Sequence, residues 1–247
     1  VGARRARALH GTSSPVKATA IDVLSPDECP AIVAKIRSCR QYWNRAGGPT
    51  EFYTLGVSAY LEAHDKGIIA YTLAAKRQNP LLRGFFGDLY DRVLAALVKT
   101  LGEPVEYHPR LALPGFQIFL ADKAFASPIC SIHVDLPYRE IDWRPYEEVD
   151  STRTMSFTLA LQLPRGGAGL NVWPQIAPDI AINGPPGALQ VKGLEPVLHP
   201  YAPGRMVVHD GHSMHQIAPF TVTEENEARI TLQGHGIWCP RGWLAYF

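Results

Sequence analysis

The stretch Ser131-Ile132-His133-Val134-Asp135-Leu136 holds the first side chains in this sequence whose types and spacing suit chemistry. In an extended strand, side chains at i and i+2 share a face, so His133 and Asp135 point together while Ile132 and Val134 point away. An imidazole and a carboxylate on one face are two ligands for a divalent transition metal. A second imidazole would complete a two-histidine, one-carboxylate set that leaves three coordination positions open. By itself the pair is also what an ordinary histidine–carboxylate hydrogen bond looks like, so the rest of the chain must decide.

The segment GRMVVHDGHSMHQIAPFTVTEENEARITLQGHG, residues 204–236, offers three candidates for the missing ligand: His209, His212 and His215. Hairpin geometry favours His215. If PFTVTEENE turns an antiparallel pair centred near Val222, His215 and Arg229 lie equally far from the turn and face one another, with Cβ atoms about 5 Å apart. A permanent cation then stands one short dicarboxylate's length from the metal, able to take a carboxylate as a bidentate pair. Thr231, two residues on, places a hydroxyl on the same face, where it can donate to that carboxylate. His209 and His212 stay open as alternative third ligands. Gln117, on the run preceding His133, is a further candidate donor to the bound molecule.

These residues need a rigid scaffold. From about Pro104 the chain breaks into short β-rich runs separated by Pro and Gly: FQIFLAD, SIHVDL, MSFTLALQLP, GLNVWP, ALQVKG, RMVVHD, MHQIAPF and ARITLQGHGIW. Closely spaced short strands with turn signals predict a sandwich or barrel rather than alternating βαβ units. The expected core is a double-stranded β-helix, or jelly roll, over 105–247. Ahead of it, 17–104 reads as a helical buttress. One helix begins at SPDECPAIVAKIRSCRQYW, with Ser25 as cap and Pro26 in the first turn. A second begins at NPLLRGFFGDLYDRVLAALVKTLG, with Asn79 as cap, Pro80 at its first position and Gly102 as its stop. Residues 1–16 read as a mobile tail, and the whole as a single domain, mainly β with flanking helices.

Together, HVD, a histidine about 80 positions on, and Arg229-Ile230-Thr231 resemble the HxD...H...RxS/T signature of the Fe(II)/2-oxoglutarate-dependent dioxygenase superfamily. VVHDGHSMHQIAP is similar to that family's distal-histidine segment, and PGFQIF and GAGLNVWP resemble stretches of bacterial members. The likeness covers roughly residues 105 to 237. It implies Fe(II) held by His133, Asp135 and His215, with 2-oxoglutarate and O2 as cosubstrates and Arg229, Thr231 and Gln117 on the oxoacid side. It also implies oxidation of a substrate C–H bond with release of succinate and CO2. Hydroxylation is the default outcome; desaturation, epoxidation and ring closure use the same ligands. Halogenation is disfavoured, because family halogenases resemble HxG or HxA and Asp135 fills the halide's position.

Composition narrows the partners. With 24 Lys plus Arg against 23 Asp plus Glu, a net charge of +1 gives no general attraction for nucleic acid. No apolar run approaches the roughly 20 residues a membrane helix needs. There is no GxGxxG or GxxxxGK for a nucleotide. Cys29, Cys39, Cys130 and Cys239 form no CxxC pair, which suits a reduced cytoplasm. The basic N-terminus lacks an apolar stretch and does not read as a secretory signal, while a transit peptide stays open. A small organic substrate is therefore expected. The alternatives are a peptidyl hydroxylase of the same chemistry, a zinc hydrolase on the same ligands, and a jelly-roll binding module with a non-redox metal. The loop LPYREIDWRPYEEVDSTR, with Tyr138, Trp143 and Tyr146, reads as a substrate lid, and Trp173 as a pocket wall.

Overall fold

The computed structural model describes residues 18–46, 50–127, 132–145, 148–176, 195–222 and 224–247. The tail at 1–16, the run ALQVKG, Cys130 and Tyr146 lie outside the described residues.

The chain is mainly β. The strands are β1 (Thr19–Asp22), β2 (Asn44–Arg45), β3 (Phe52–Leu55), β4 (Val105–Tyr107), β5 (Gly115–Leu120), β6 (Asp150–Gln162), β7 (Gly169–Ile176), β8 (Val197–Pro200), β9 (Arg205–His209), β10 (Ser213–Ile217), β11 (Ala228–Cys239) and β12 (Gly242–Tyr246). The two main helices are α1 (Cys29–Ser38) and α2 (Ile68–Leu101). The larger sheet runs β1-β9-β6-β11-β5-β3-β2, with β12 also on β11 and β4 beside β12; the smaller runs β10-β7-β8. The N-terminal third is thus not helical throughout, since β1, β2 and β3 are strands of the large sheet. No described helix is long and apolar enough to cross a membrane.

Period-two alternation sorts the large sheet into two faces. Phe116 and Ile118 of β5, Phe157 and Leu159 of β6, Met206 and Val208 of β9, and Ile230 and Leu232 of β11 join Val33 and Ile36 of α1 and the α2 stripe Leu82, Phe86, Leu89, Val93 and Leu97 in one buried cluster. The alternate residues turn inward, where Ala160 and Val207 pack with Leu170 and Val172 of β7. Phe119 meets Phe125 and Phe220 in a second inward cluster, with Ile217 of β10 packed against it. Buried polar members of the same inward rows include Gln117, Ser156, Thr158, His209, Arg229, Thr231 and His235.

The entry to α1 follows its sequence signals. The Glu28 carboxylate accepts from the Ser25 N–H at 2.8 Å and from its hydroxyl at 3.0 Å, and Pro26 opens a 3-10 turn that leads into the helix. The entry to α2 does not. The helix begins at Ile68, so Asn79 is no cap and Pro80 lies inside; the backbone leaves helical geometry at Phe86 (φ −129°, ψ 22°). Asn79 is used otherwise: its amide donates to the Leu111 carbonyl at 2.8 Å and accepts from the Leu113 N–H at 3.0 Å. Tyr90 adds a bond to the Pro114 carbonyl at 2.7 Å. These bonds clamp α2 to the chain entering β5, the neighbour of β11. The stop at Gly102 is as read, with left-handed φ 69° and its N–H on the Val98 carbonyl.

Asn79→Ala strands a carbonyl and an N–H that are then partly shielded from water. It is expected to destabilise the protein by about 1–3 kcal/mol. Urea unfolding is the measurement, and a loss under about 0.5 kcal/mol would show that the clamp does not hold the helix.

Candidate metal centre between the sheets

Within 132–136 regular strand structure is confined to one bridge: His133 pairs antiparallel with His215, N–H to carbonyl at 3.0 and 2.9 Å in the two directions. The Asp135 N–H continues the pattern to the Gly211 carbonyl at 2.8 Å. The full strand read in SIHVDL is therefore a short extended segment docked on the start of β10. That is enough to keep the i, i+2 relation and aim His133 and Asp135 one way.

His133, Asp135 and His215 form a group whose ligand atoms all lie within 4.8 Å of one another, as a metal ion needs. His215 Nε2 is 3.3 Å from Asp135 Oδ2, and His133 Nε2 is 3.7 Å from Asp135 Oδ1. His215 Nδ1 lies 2.9 Å from the Ser213 carbonyl, a contact that only an N–H satisfies, so the lone pair is on Nε2, toward the group. Burial would raise the Asp135 carboxyl, but the charges of His215, His235 and His133 outweigh it and hold the group well below the usual carboxylate range. Burial would lower His215, yet Asp135 raises it. The two attractions are the two sides of one electrostatic contact, and a metal ion between the two groups would take over that attraction.

The other two candidates are placed differently. His209 directs Nδ1 to the Asp210 carbonyl at 2.9 Å, and burial, aided by the His215 charge, pushes it down to about 3, so it stays neutral. His212 points to the Tyr138 hydroxyl (3.3 Å), the Thr154 hydroxyl (3.2 Å) and Asp210 (3.3 Å).

Arg229 does not lie opposite His215 across a hairpin. β10 pairs with β7, where His215 faces Val172, while Arg229 in β11 faces Phe119 of β5. The two residues belong to different sheets. Arg229 nevertheless enters the same interior, only 1% exposed, with Nε and Nη1 lacking any hydrogen-bond acceptor. Its guanidinium lies 4.9 Å from the Phe119 ring centre and 5.4 Å from that of Tyr201. Thr231 is buried with its hydroxyl unpartnered. Gln117, directly across from Thr231 in β5, donates its amide to the Tyr60 hydroxyl at 3.0 Å. Trp143 is a core anchor rather than a lid residue, packed against Tyr246 and donating to the Tyr138 carbonyl at 2.9 Å. Trp173 is buried as well.

Two residues in this interior were not singled out from the sequence. Tyr201, next to β8, has a buried hydroxyl close to Thr158 and Arg229 and within electrostatic reach of Asp135; burial, against Arg229's opposing charge, raises its pKa. Nothing in its local sequence marks it. His235 is the other, its Nδ1 3.8 Å from Asp135 Oδ2. Its signal was available, because 229, 231, 233 and 235 share one face of β11.

No protein-family model matches the sequence, and no curated protein aligns with it significantly. Solved structures do share its fold. The chain is similar to an N-substituted L-amino acid dioxygenase from Burkholderia ambifaria, at 16% identity and a TM-score of 0.58, over 93% of this chain and 86% of that one. The same enzyme in complex with α-ketoglutarate gives a TM-score of 0.55, again at 16% identity and over 93% and 86% of the two chains. The non-haem α-ketoglutarate-dependent epimerase SnoN of nogalamycin biosynthesis matches at 15% identity and a TM-score of 0.51, over 89% and 80% of the two chains. The fold is therefore the one on which these α-ketoglutarate enzymes are built.

The geometry separates the three histidines by experiment. His215→Ala is expected to abolish tight Co(II) binding by calorimetry, since an open three-ligand set has no spare member. His209→Ala and His212→Ala are expected to stay within about threefold of the unmodified protein, a shift of about 0.7 kcal/mol. Loss of Co(II) from His212→Ala with retention in His215→Ala would reverse the assignment.

Proposed function

We propose that this protein is a non-haem iron(II), 2-oxoglutarate-dependent oxygenase that oxidises a C–H bond of a small organic substrate. In this reading His133, Asp135 and His215 hold the metal, and Arg229, Thr231 and Tyr201 hold the far carboxylate of the oxoacid. Residues 105–247 then correspond to a double-stranded β-helix core.

The observation that carries the reading is Arg229. A guanidinium cannot shed its proton, and two of its nitrogens are buried here without acceptors. A bound carboxylate supplies the missing acceptors in the bidentate geometry that the planar fork favours. The donor set fits the same group: three metal ligands leave positions open for an oxoacid, whereas a structural metal closes its shell with a fourth. A zinc hydrolase would leave Arg229 unexplained.

Iron in this site supplies the activation of O2, coupled to conversion of 2-oxoglutarate to succinate and CO2. The protein's part is placement. Arg229 and the hydroxyls of Thr231 and Tyr201 fix one end of the oxoacid, so that its other end can reach the metal ligands. The faces of Phe119 and Tyr201 keep water from the Arg229 pair and thereby strengthen it. The Ser213 carbonyl holds the His215 ring in the tautomer that ligates. Gln117 has part of its capacity spent on Tyr60, so its share in holding the oxoacid is smaller. The amino-acid derivative named for the Burkholderia enzyme is one class of small molecule with which to begin a substrate screen.

Titrating 2-oxoglutarate into the anaerobic Fe(II) protein, followed by a visible charge-transfer band, tests the reading. Arg229→Ala is expected to weaken 2-oxoglutarate by at least about 30-fold, because loss of one partner of a desolvated charged pair costs on the order of 2–5 kcal/mol. Thr231→Val and Tyr201→Phe are each expected to cost about 1 kcal/mol. Iron affinity should stay nearly constant in all three. An unmodified protein without the band, or an Arg229→Ala variant with unchanged affinity, would remove the reading.

A further inference from the structure

His235 is the buried polar residue of the inward β11 face that neither the metal nor the oxoacid, on the reading above, uses. It is 1% exposed and stands directly across from Ser156 in β6 and from Tyr246 in β12. Its Nδ1 is 3.1 Å from the Ser156 hydroxyl and 3.8 Å from Asp135 Oδ2. Its Nε2 is buried with no hydrogen-bond partner. The ring is packed in aromatic surroundings, edge-on to Tyr60 and stacked on Phe247, with centroids 6.5 and 6.4 Å away.

These contacts fix the tautomer. With a proton on Nε2, a donor would be buried without an acceptor. With it on Nδ1, the N–H faces a buried carboxylate and the Ser156 oxygen together, and a carboxylate at this range in a desolvated interior favours that form strongly.

Asp135 needs such a neighbour. Its main chain is fixed by the bond to Gly211, but its Oδ2 accepts no hydrogen bond, and the ligand histidines approach both oxygens, His133 on Oδ1 and His215 on Oδ2. The two imidazoles therefore do not choose between the oxygens. A carboxylate free to turn can ligate through both, and the second oxygen would fill a position that the oxoacid or O2 requires.

We propose that His235 is a positioning residue: its Nδ1–H, braced by Ser156, restrains the Asp135 carboxylate so that one oxygen alone serves the metal. The assignment rests on the metal centre proposed above. Metal-ligand orientation of this kind changes metal affinity about 10- to 100-fold when its partner is lost.

Amide variants isolate the atom. In His235→Asn the side-chain nitrogen falls near the place of Nδ1, whereas in His235→Gln it falls near that of Nε2, and His235→Phe keeps the ring without a donor. Calorimetry with Co(II) alone on the full chain, read beside the visible spectrum of the Co(II) protein and the melting of the metal-free protein, is the test. His235→Asn is expected to bind within about threefold of the unmodified protein. His235→Gln and His235→Phe are expected to bind about 10- to 100-fold more weakly and with a shifted spectrum. If His235→Phe does not fold, the Asn and Gln pair gives the same comparison. Unaltered Co(II) affinity and spectrum in His235→Gln would overturn the inference while leaving the metal centre standing, as would His235→Asn binding no better than His235→Gln. An unmodified protein that binds no Co(II) would overturn the metal centre and the inference together.

Discussion

The buried guanidinium of Arg229 is the constraint around which the interior is arranged. At 1% exposure it lacks acceptors for Nε and Nη1, and among the described residues no acidic side chain forms an ion pair with it. The faces of Phe119 and Tyr201 return on the order of 2 kcal/mol each when desolvated, and a ring face offers the N–H groups no oxygen acceptor. Burying an ion costs several kcal/mol even after relaxation. The shortfall is what a carboxylate ligand would make good. The fold tolerates the deficit because β11 is gripped on its other face, where Ile230 and Leu232 sit in the main apolar cluster under α1 and α2. A one-residue slip of β11 would drive Arg229 into that cluster and turn Ile230 into the site, so the helices that never touch the chemistry set the register that exposes it.

The candidate ligands were legible in the sequence because each is marked by a short pattern: i, i+2 spacing for His133 and Asp135, and a histidine-rich turn followed by Arg-Ile-Thr for His215 and Arg229. The route from pattern to contact was less legible. His215 and Arg229 approach one interior from opposite sheets, a relation set by sheet packing, and a hairpin drawn through Val222 reaches a similar conclusion by pairings the chain does not make. Local rules also lost to tertiary bonding at Asn79-Pro80. A cap followed by proline normally starts a helix. Here the apolar turns from Ile68 onward carry α2 through the proline, and Asn79 bonds to Leu111 and Leu113 instead. Tyr201 was invisible for a related reason, since its place beside Arg229 depends on where β8 returns to β7. His235 was visible to strand parity. The parity that links Arg229 to Thr231 extends to it.

Charge counting ties the two halves of the proposed site together. Asp135 and Arg229 bring one charge of each sign to the interior; among the buried histidines, desolvation disfavours the charged form of His209 and His235. A divalent metal alone would leave the interior cationic, and a dicarboxylate alone would leave it anionic. Each is an unfavourable state in a medium of low dielectric. Bound together, the metal and the dianion add no net charge. Each therefore lowers the electrostatic cost of the other, and by thermodynamic reciprocity the metal must raise the affinity for the oxoacid by the same factor as the oxoacid raises that for the metal. Arg229 sharpens this coupling. On the proposed reading it would draw a dianion into an interior that already holds Asp135, and a cation among His133, Asp135 and His215 would offset the repulsion between the two carboxylates. On that reading the spacing of the three candidate ligands and the unmatched nitrogens of Arg229 would be two parts of one electrostatic arrangement, each completed by the other's ligand.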